Sequence, residues 1–185
     1  MPAQNAAHPE HDLSPDVVRD RLPDALDHES FTPRLLALLT YELVWRESHE
    51  LRRLFGLGTN EWRILSALAS LPGASATEVS DFLDVNKAIV SKSAATLVSR
   101  QLIVLSDGPR GSRPMHMTAA GAAMHAAMRP ISMRGQEIIL AGMSDAEIES
   151  FNATIHRMLA ALRAADADAD PGADDLGDIQ DDVEA

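Results

Sequence analysis

Apolar positions along the chain change period, and the change marks out its elements. Over 34–55, Leu35, Leu39 and Leu43 recur every four residues, while Leu36, Leu38, Val44 and Trp45 widen the stripe past one face. This predicts a long helix that buries itself on two neighbours, stopped by Gly56 and Gly58. A second helix follows, with Thr59 as its expected N-cap and Glu61 in its positive first turn. Ile64, Leu65, Leu68 and Leu71 form its apolar face, and Pro72-Gly73 ends it. Ser75-Ala76-Thr77-Glu78 has the form of a capping box and opens a short helix made amphipathic by Val79, Phe82 and Leu83. After the break Asp84-Val85-Asn86, Asn86 is the expected cap of a third helix. Its inward face is Val90, Ala94, Leu97 and Val98, which leaves Lys87, Ala88, Ser91 and Lys92 pointing out.

The period then shortens. Leu102-Ile103-Val104-Leu105 reads as a short strand and Met115-His116-Met117 as its return strand, with a turn rich in Gly, Pro and Arg between them. Three short helices, the last two tightly joined, followed by a hairpin describe a winged helix-turn-helix in a mainly α (α+β) chain. Thr118 is the expected cap of an Ala-rich helix bent at Pro130, where the ring removes a backbone donor. Ser144 and Glu147 form a second capping box. The last helix carries a heptad-like stripe of Ile148, Phe151, Ile155, Met158, Leu159 and Leu162.

Composition bounds the chemistry. The 185 residues contain no cysteine, which excludes disulfides, thiol catalysis, thiol redox sensing and Cys-ligated zinc. The N-terminus lacks the apolar core of a signal peptide, and no apolar run approaches the ~20 residues of a membrane span, so a cytoplasmic location is expected. No phosphate loop, His-Glu-x-x-His, dinucleotide fingerprint or nucleophile elbow is present, so no enzyme and no cofactor are expected. The His residues make no tight cluster, and a metal-responsive protein is the weaker alternative.

The formal charge of −12 is unevenly distributed. Residues 1–30 hold seven acids and two bases (−5), and 166–185 hold nine acids and no base (−9). The remainder, 31–165, therefore has 14 bases and 12 acids (+2), and 86–113 has five bases against Asp107 alone (+4). Fields are local on the ~8–10 Å scale of the Debye length, so the basic middle decides which partner it attracts. The 166–185 segment reads as a disordered, solubilising acidic tail, with a DNA mimic competing for the basic segment as the sharper alternative. Val17, Val18, Leu22 and Leu26 in the acidic first thirty residues have helical spacing and are expected to order only against a partner chain.

Several stretches together resemble the multiple-antibiotic-resistance regulator (MarR) family. They are Glu61-Trp62-Arg63-Ile64-Leu65, Asp84-Val85-Asn86-Lys87-Ala88-Ile89-Val90-Ser91-Lys92, Leu97, Leu102-Ile103, and Met117-Thr118-Ala119-Ala120-Gly121, which is similar to the family's post-wing Leu-Thr-x-x-Gly. The chain departs from the pattern at Gln101, where glycine is usual, at Lys92, where Arg is commoner, and in a shorter wing that has arginines but no Asp–Arg pair. The resemblance implies an obligate homodimer, with 31–58 and 118–165 as a helical dimerisation layer and 59–117 as the DNA-binding winged domain, flanked by the 1–30 extension and the acidic tail.

A helix-turn-helix lays the N-terminal end of its second helix in the major groove. That end offers Asn86, Lys87, Ala88, Ser91 and Lys92, the lysines suited to phosphates and the Asn and Ser to backbone or base edges. A solvated charge is the usual fate of a surface lysine; position on this helix reverses it. Arg110 and Arg113 are wing candidates for the minor groove, against a loop that is merely charged. Ser75 and Thr77 are candidates for phosphate contact, against capping alone. Arg100 is expected to meet a phosphate or a local acid. The resemblance further implies a small effector, aromatic or anionic, held by Trp45, Arg46, His49, Arg53, Trp62, Met124, His125 and Met128, each weighed against simple core packing. The expected partners are double-stranded DNA, a second copy of the chain and that effector, with no membrane. The rival to all of this is a DNA-incompetent interaction module whose acidic termini bind basic partners.

Overall fold

A computed structural model describes residues 17–169, apart from the side chains of Arg110 and of 166–169. Contacts divide the chain between Ala37 and Leu38. In the first unit, 17–31 runs through turns. The Asp27 carboxylate accepts from Ser30 Oγ (2.7 Å) and from the Glu29 amide (3.2 Å). The single chain forms no helix around Val17, Val18, Leu22 and Leu26, where ordering is expected only against a partner: Pro23 interrupts the segment, and a short helix with nothing to pack on is marginal in water. The part of that expectation within 1–16 lies outside the described residues.

Helix α1 spans Thr32–Phe55 and crosses that division. Then come α2 (Thr59–Ser70), α3 (Ala76–Leu83), α4 (Lys87–Ser99), β1 (Ile103–Leu105), β2 (Met115–Met117), α5 (Ala119–Ile139) and α6 (Asp145–Ala169). The antiparallel register pairs Ile103 with Met117, Val104 with His116 and Leu105 with Met115. The α2–α3 connection joins this ribbon at its edge, because the Gly73 amide donates to the Met115 carbonyl and the Met115 amide to that of Ala74, both at 3.0 Å. The winged helix-turn-helix is thus built from local pieces on one apolar centre.

That centre is supplied mainly by α2 (Trp62, Ile64, Leu65, Ala67, Leu68), onto which α3 packs Val79, α4 packs Val90, Ala94 and Leu97, and the wing packs Ile103 and Met115. Leu51 of α1 and Met128 of α5 complete it. Two local expectations change. Helix α2 starts one residue early, with extended Gly58 as N-cap, whose amide donates to Glu61 Oε2 (2.8 Å). Thr59 is therefore the first helical residue, 1% exposed, its hydroxyl without a partner among the described residues. On α4 the fourth inward position is Ser93, buried with Ala94, while Val98 is exposed. Positions 90, 93, 94 and 97 form the i, i+3, i+4, i+7 face; 98 lies on its flank.

The join to α5 is tight. Thr118 Oγ1 accepts from the Gly121 amide (3.0 Å) and donates to the Gln101 carbonyl (2.8 Å). A Cβ on Gly121 would collide with the Leu102 carbonyl, which itself accepts from the Thr118 amide (3.0 Å). Helix α5 then continues through Pro130. Helix α6 begins at the Ser144–Glu147 capping box and runs to Ala169, into the segment expected to be an unstructured tail; 170–185 lies outside the described residues. No helix among the described residues is long and apolar enough to cross a membrane.

Candidate nucleic-acid interface

The α3–α4 turn is held by one left-handed residue and two local bonds. Asp84 ends α3 in the left-handed conformation (φ 54°), which a short polar side chain tolerates. Ser80 Oγ donates to the Val85 carbonyl (2.6 Å), and Asn86 Oδ1 accepts from the Ala88 amide (2.8 Å). With the Asn86 oxygen committed to capping, its amide NH2 remains for an outside partner. Lys87, Ala88, Ser91 and Lys92 are exposed around it, and the first turn of α4 holds no acid. A helix N-terminus carries about half a positive charge, so this surface is anion-seeking from both backbone and side chains.

Ser75 is engaged in the expected capping box: its Oγ accepts from the Glu78 amide (3.3 Å) and its amide donates to Glu78 Oε2 (2.7 Å). Hydrogen bonding from the Ser75 amide first, and then from the Ser75 hydroxyl, holds the Glu78 carboxyl below its ordinary value. Thr77 beside it is exposed. In the wing, Gly108 and Ser112 pair across a one-turn 3-10 helix, Pro109–Gly111, and Arg113 is exposed. The Arg110 side chain lies outside the described residues. Arg100 proves to be a strut: its Nη1 donates to the carbonyls of Phe55 (2.8 Å) and Gly56 (3.1 Å) and so caps the end of α1. Lys92 and Ala88 also border a polar cavity of about 480 Å³, closed on its other side by Arg52, Gly58, Asn60 and Glu61. Spacing within α4 gives no hint of this, because the opposite wall comes from the α1–α2 junction.

A second cavity, about 510 Å³, lies among α1, α2, α5 and α6. Of the residues expected to hold an effector, Arg46 and Trp62 line it. Trp45 and His49 stack on each other instead (centroids 5.5 Å apart), and His125 stacks on Trp62 (5.1 Å). Burial first, and then the charge of Arg129, hold His125 below its ordinary pKa. Met128 is fully buried in the core and Met124 packs against it. The polar wall comes from residues that sequence inspection passed over: Arg63, Arg134, Gln136 and Asn152, with Ser132 donating to Glu47. Among the described residues, no group of three or more His, Asp or Glu could hold a metal ion.

Compared by sequence with proteins of curated function, the chain matches none. The model of the MarR family matches residues 55–114, the stretch from the end of α1 to the residue before β2. Over those 60 of its 185 residues the chain is similar to the MarR family. Solved structures extend the likeness of fold beyond that stretch. A MarR/EmrR family transcriptional regulator from Acinetobacter sp. ADP1 superposes with a TM-score of 0.69 at 20% identity, covering 75% of this chain and 99% of its own. MepR of S. aureus, solved as a DNA complex, gives 0.66 at 18% identity over 72% of this chain and 98% of its own. A putative MarR family regulator from Listeria monocytogenes, solved with a 26mer DNA, gives 0.66 at 15% identity over 70% of this chain and 87% of its own. The Acinetobacter protein, like the regulator SlyA that shares the fold, is described as a transcriptional regulator.

Proposed function

We propose that the chain is a DNA-binding transcriptional regulator of MarR type, acting in the cytoplasm as a homodimeric repressor. The observation that carries this reading is the exposed, acid-free N-terminal face of α4, where Asn86, Lys87, Ser91 and Lys92 surround an uncompensated helix end. Lys87 and Lys92 neutralise phosphates, the Asn86 amide and Ser91 contact backbone or base edges, and Arg113 follows the wing toward the minor groove, with Arg110 as its neighbour. Ser75 and Thr77 approach phosphate from α3. The similar S. aureus and Listeria proteins, solved with DNA, support the assignment.

Residues 31–58 and 118–165 form the dimer layer, and 59–117 the DNA-binding domain. Two copies place their α4 helices on half-sites about one helical turn (~10 bp) apart, so the operator is palindromic. The 510 Å³ cavity is the effector site. Trp62 and Ile131 receive an aromatic or apolar body, and Arg46, Arg63 and Arg134 an anionic end. A coupling of ~1–3 kcal/mol between this site and DNA lowers operator affinity roughly 5–150-fold.

The test is a gel shift of the full chain on the DNA upstream of its own gene, with and without a panel of aromatic acids. A saturable shift that a member of the panel reverses supports the reading. No shift on any duplex at low salt leaves the interaction module as the better account.

A further inference from the structure

Arg163, near the end of α6, is fastened to the helix-turn-helix: its Nη2 lies 2.7 Å from Asp84 Oδ2. Both side chains are largely exposed, so the pair contributes little energy of its own; its consequence is positional. Asp84 is the acid nearest in sequence to the start of α4, and Arg163 neutralises it. From Arg163 the helix runs six more residues to Ala169, about 9 Å at ~1.5 Å per residue. The chain beyond, 170–185, carries seven acids (Asp170, Asp174, Asp175, Asp178, Asp181, Asp182, Glu184) and no base. At up to ~3.4 Å per residue it can reach about 50 Å.

A strongly anionic segment therefore follows α6, while the first turn of α4 holds no acid, carries the positive end of that helix and belongs to the +4 stretch 86–113. We propose that the N-terminal face of α4 docks the chain's own segment 170–185, which competes there with DNA phosphates. The effect on DNA rests on the function proposed above; the docking does not. Tethering gives the segment an effective concentration in the millimolar range, so even a millimolar intrinsic Kd lowers DNA affinity about three- to tenfold. The contact is electrostatic and fades with salt, as counterion release requires.

The experiment compares the native full chain with a full-length variant in which the six Asp from 170 onward become Asn and Glu184 becomes Gln. A synthetic peptide of residues 170–185 is then titrated onto the variant, with amide NMR shifts as the readout. We expect the variant to bind a duplex about three- to tenfold more tightly at low salt, with the gap closing by 0.3 M. We also expect peptide-induced shifts centred on Lys87–Lys92 that vanish when both lysines are replaced by Ala. Equal DNA affinity of the two proteins at every salt concentration, or no shifts on α4 at low salt, overturns the proposal. If neither protein binds any duplex while the peptide still shifts α4, the docking stands and the DNA reading fails.

Discussion

Gln101 holds a backbone conformation (φ 60°) that costs a side chain about 1–2 kcal/mol and glycine nothing, because its Cβ crowds the following carbonyl. It does so because the chain must pass from α4 into β1 within three residues while its carbonyl accepts from Thr118 Oγ1. Gln101→Gly relieves that strain and loosens the unfolded chain by a somewhat smaller amount, so a net stabilisation of about 0.5–1 kcal/mol is expected. A lower urea midpoint in that variant would falsify the strain argument. Gly121→Ala is the converse case. The new methyl group meets the Leu102 carbonyl, a backbone atom that cannot step aside, and the expected loss is about 2 kcal/mol or more. His125 adds a pH dependence at the same scale. Its folded-state pKa lies below the ordinary 6.5, so the unfolded chain binds its proton first as acid is added. The stability it contributes is complete above 6.5 and is lost as pH falls from there through the depressed value. Urea midpoints between pH 7.5 and 5.5 should decline in the native protein and decline less in His125→Gln; parallel declines would assign the effect elsewhere.

At the level of elements, α4 joins a folding requirement to the proposed recognition surface in one side chain. Asn86 uses its oxygen to cap the helix, which leaves its NH2 for an outside partner. Asn86→Ala should cost about 1 kcal/mol through the lost cap, whereas Asn86→Ser keeps the cap to within a few tenths. If the amide meets the duplex, both variants bind operator more weakly, although only the first is less stable in a thermal melt. Full binding by Asn86→Ser would reduce the residue to a cap. This division also shows which parts of the structure could be read from the chain. The boxes at Ser75–Glu78 and Ser144–Glu147 and the caps at Asn86 and Thr118 close within a few residues, so their chemistry is written locally. The start of α2 at Thr59 was not legible, because it depends on Gly58 turning extended to take the cap position. The cavity walls were less legible still: Glu47 and Ser132 are bonded across 85 positions, and no periodicity announces such a pair. The same limit hid Arg100, whose partners at Phe55 and Gly56 only folding brings near.

At the scale of the molecule, the core has a consequence for assembly. Every fully buried apolar residue lies between Leu51 and Met128 among the described residues, and α6, 25 residues long, buries none of them. A helix this long with a one-sided stripe is not stabilised by propensity alone; it needs a surface to cover the stripe. In the isolated chain Phe151, Met158, Leu159 and Leu162 stay exposed, Leu162 at 64%, as do Leu38, Tyr41 and Trp45 on α1, Trp45 at 52%. Monomers rarely leave so many large apolar side chains in water, and two such faces on one chain suit an interlocked pair of identical subunits. The dimer should therefore sediment at twice 20.0 kDa, with a melting temperature that rises with protein concentration because association stabilises only the folded form. Leu159→Asp combined with Leu162→Asp places charge in the centre of the covered stripe. That variant should sediment as a monomer and lose amide protection along α6 first, while the α2–α4 core stays folded. Its affinity for a single half-site should be unchanged, and the gain from having two half-sites on one duplex should disappear. A variant that remains dimeric with α6 protected would mean that the stripe is covered by something other than a second copy, and the two-half-site arrangement would have no structural basis.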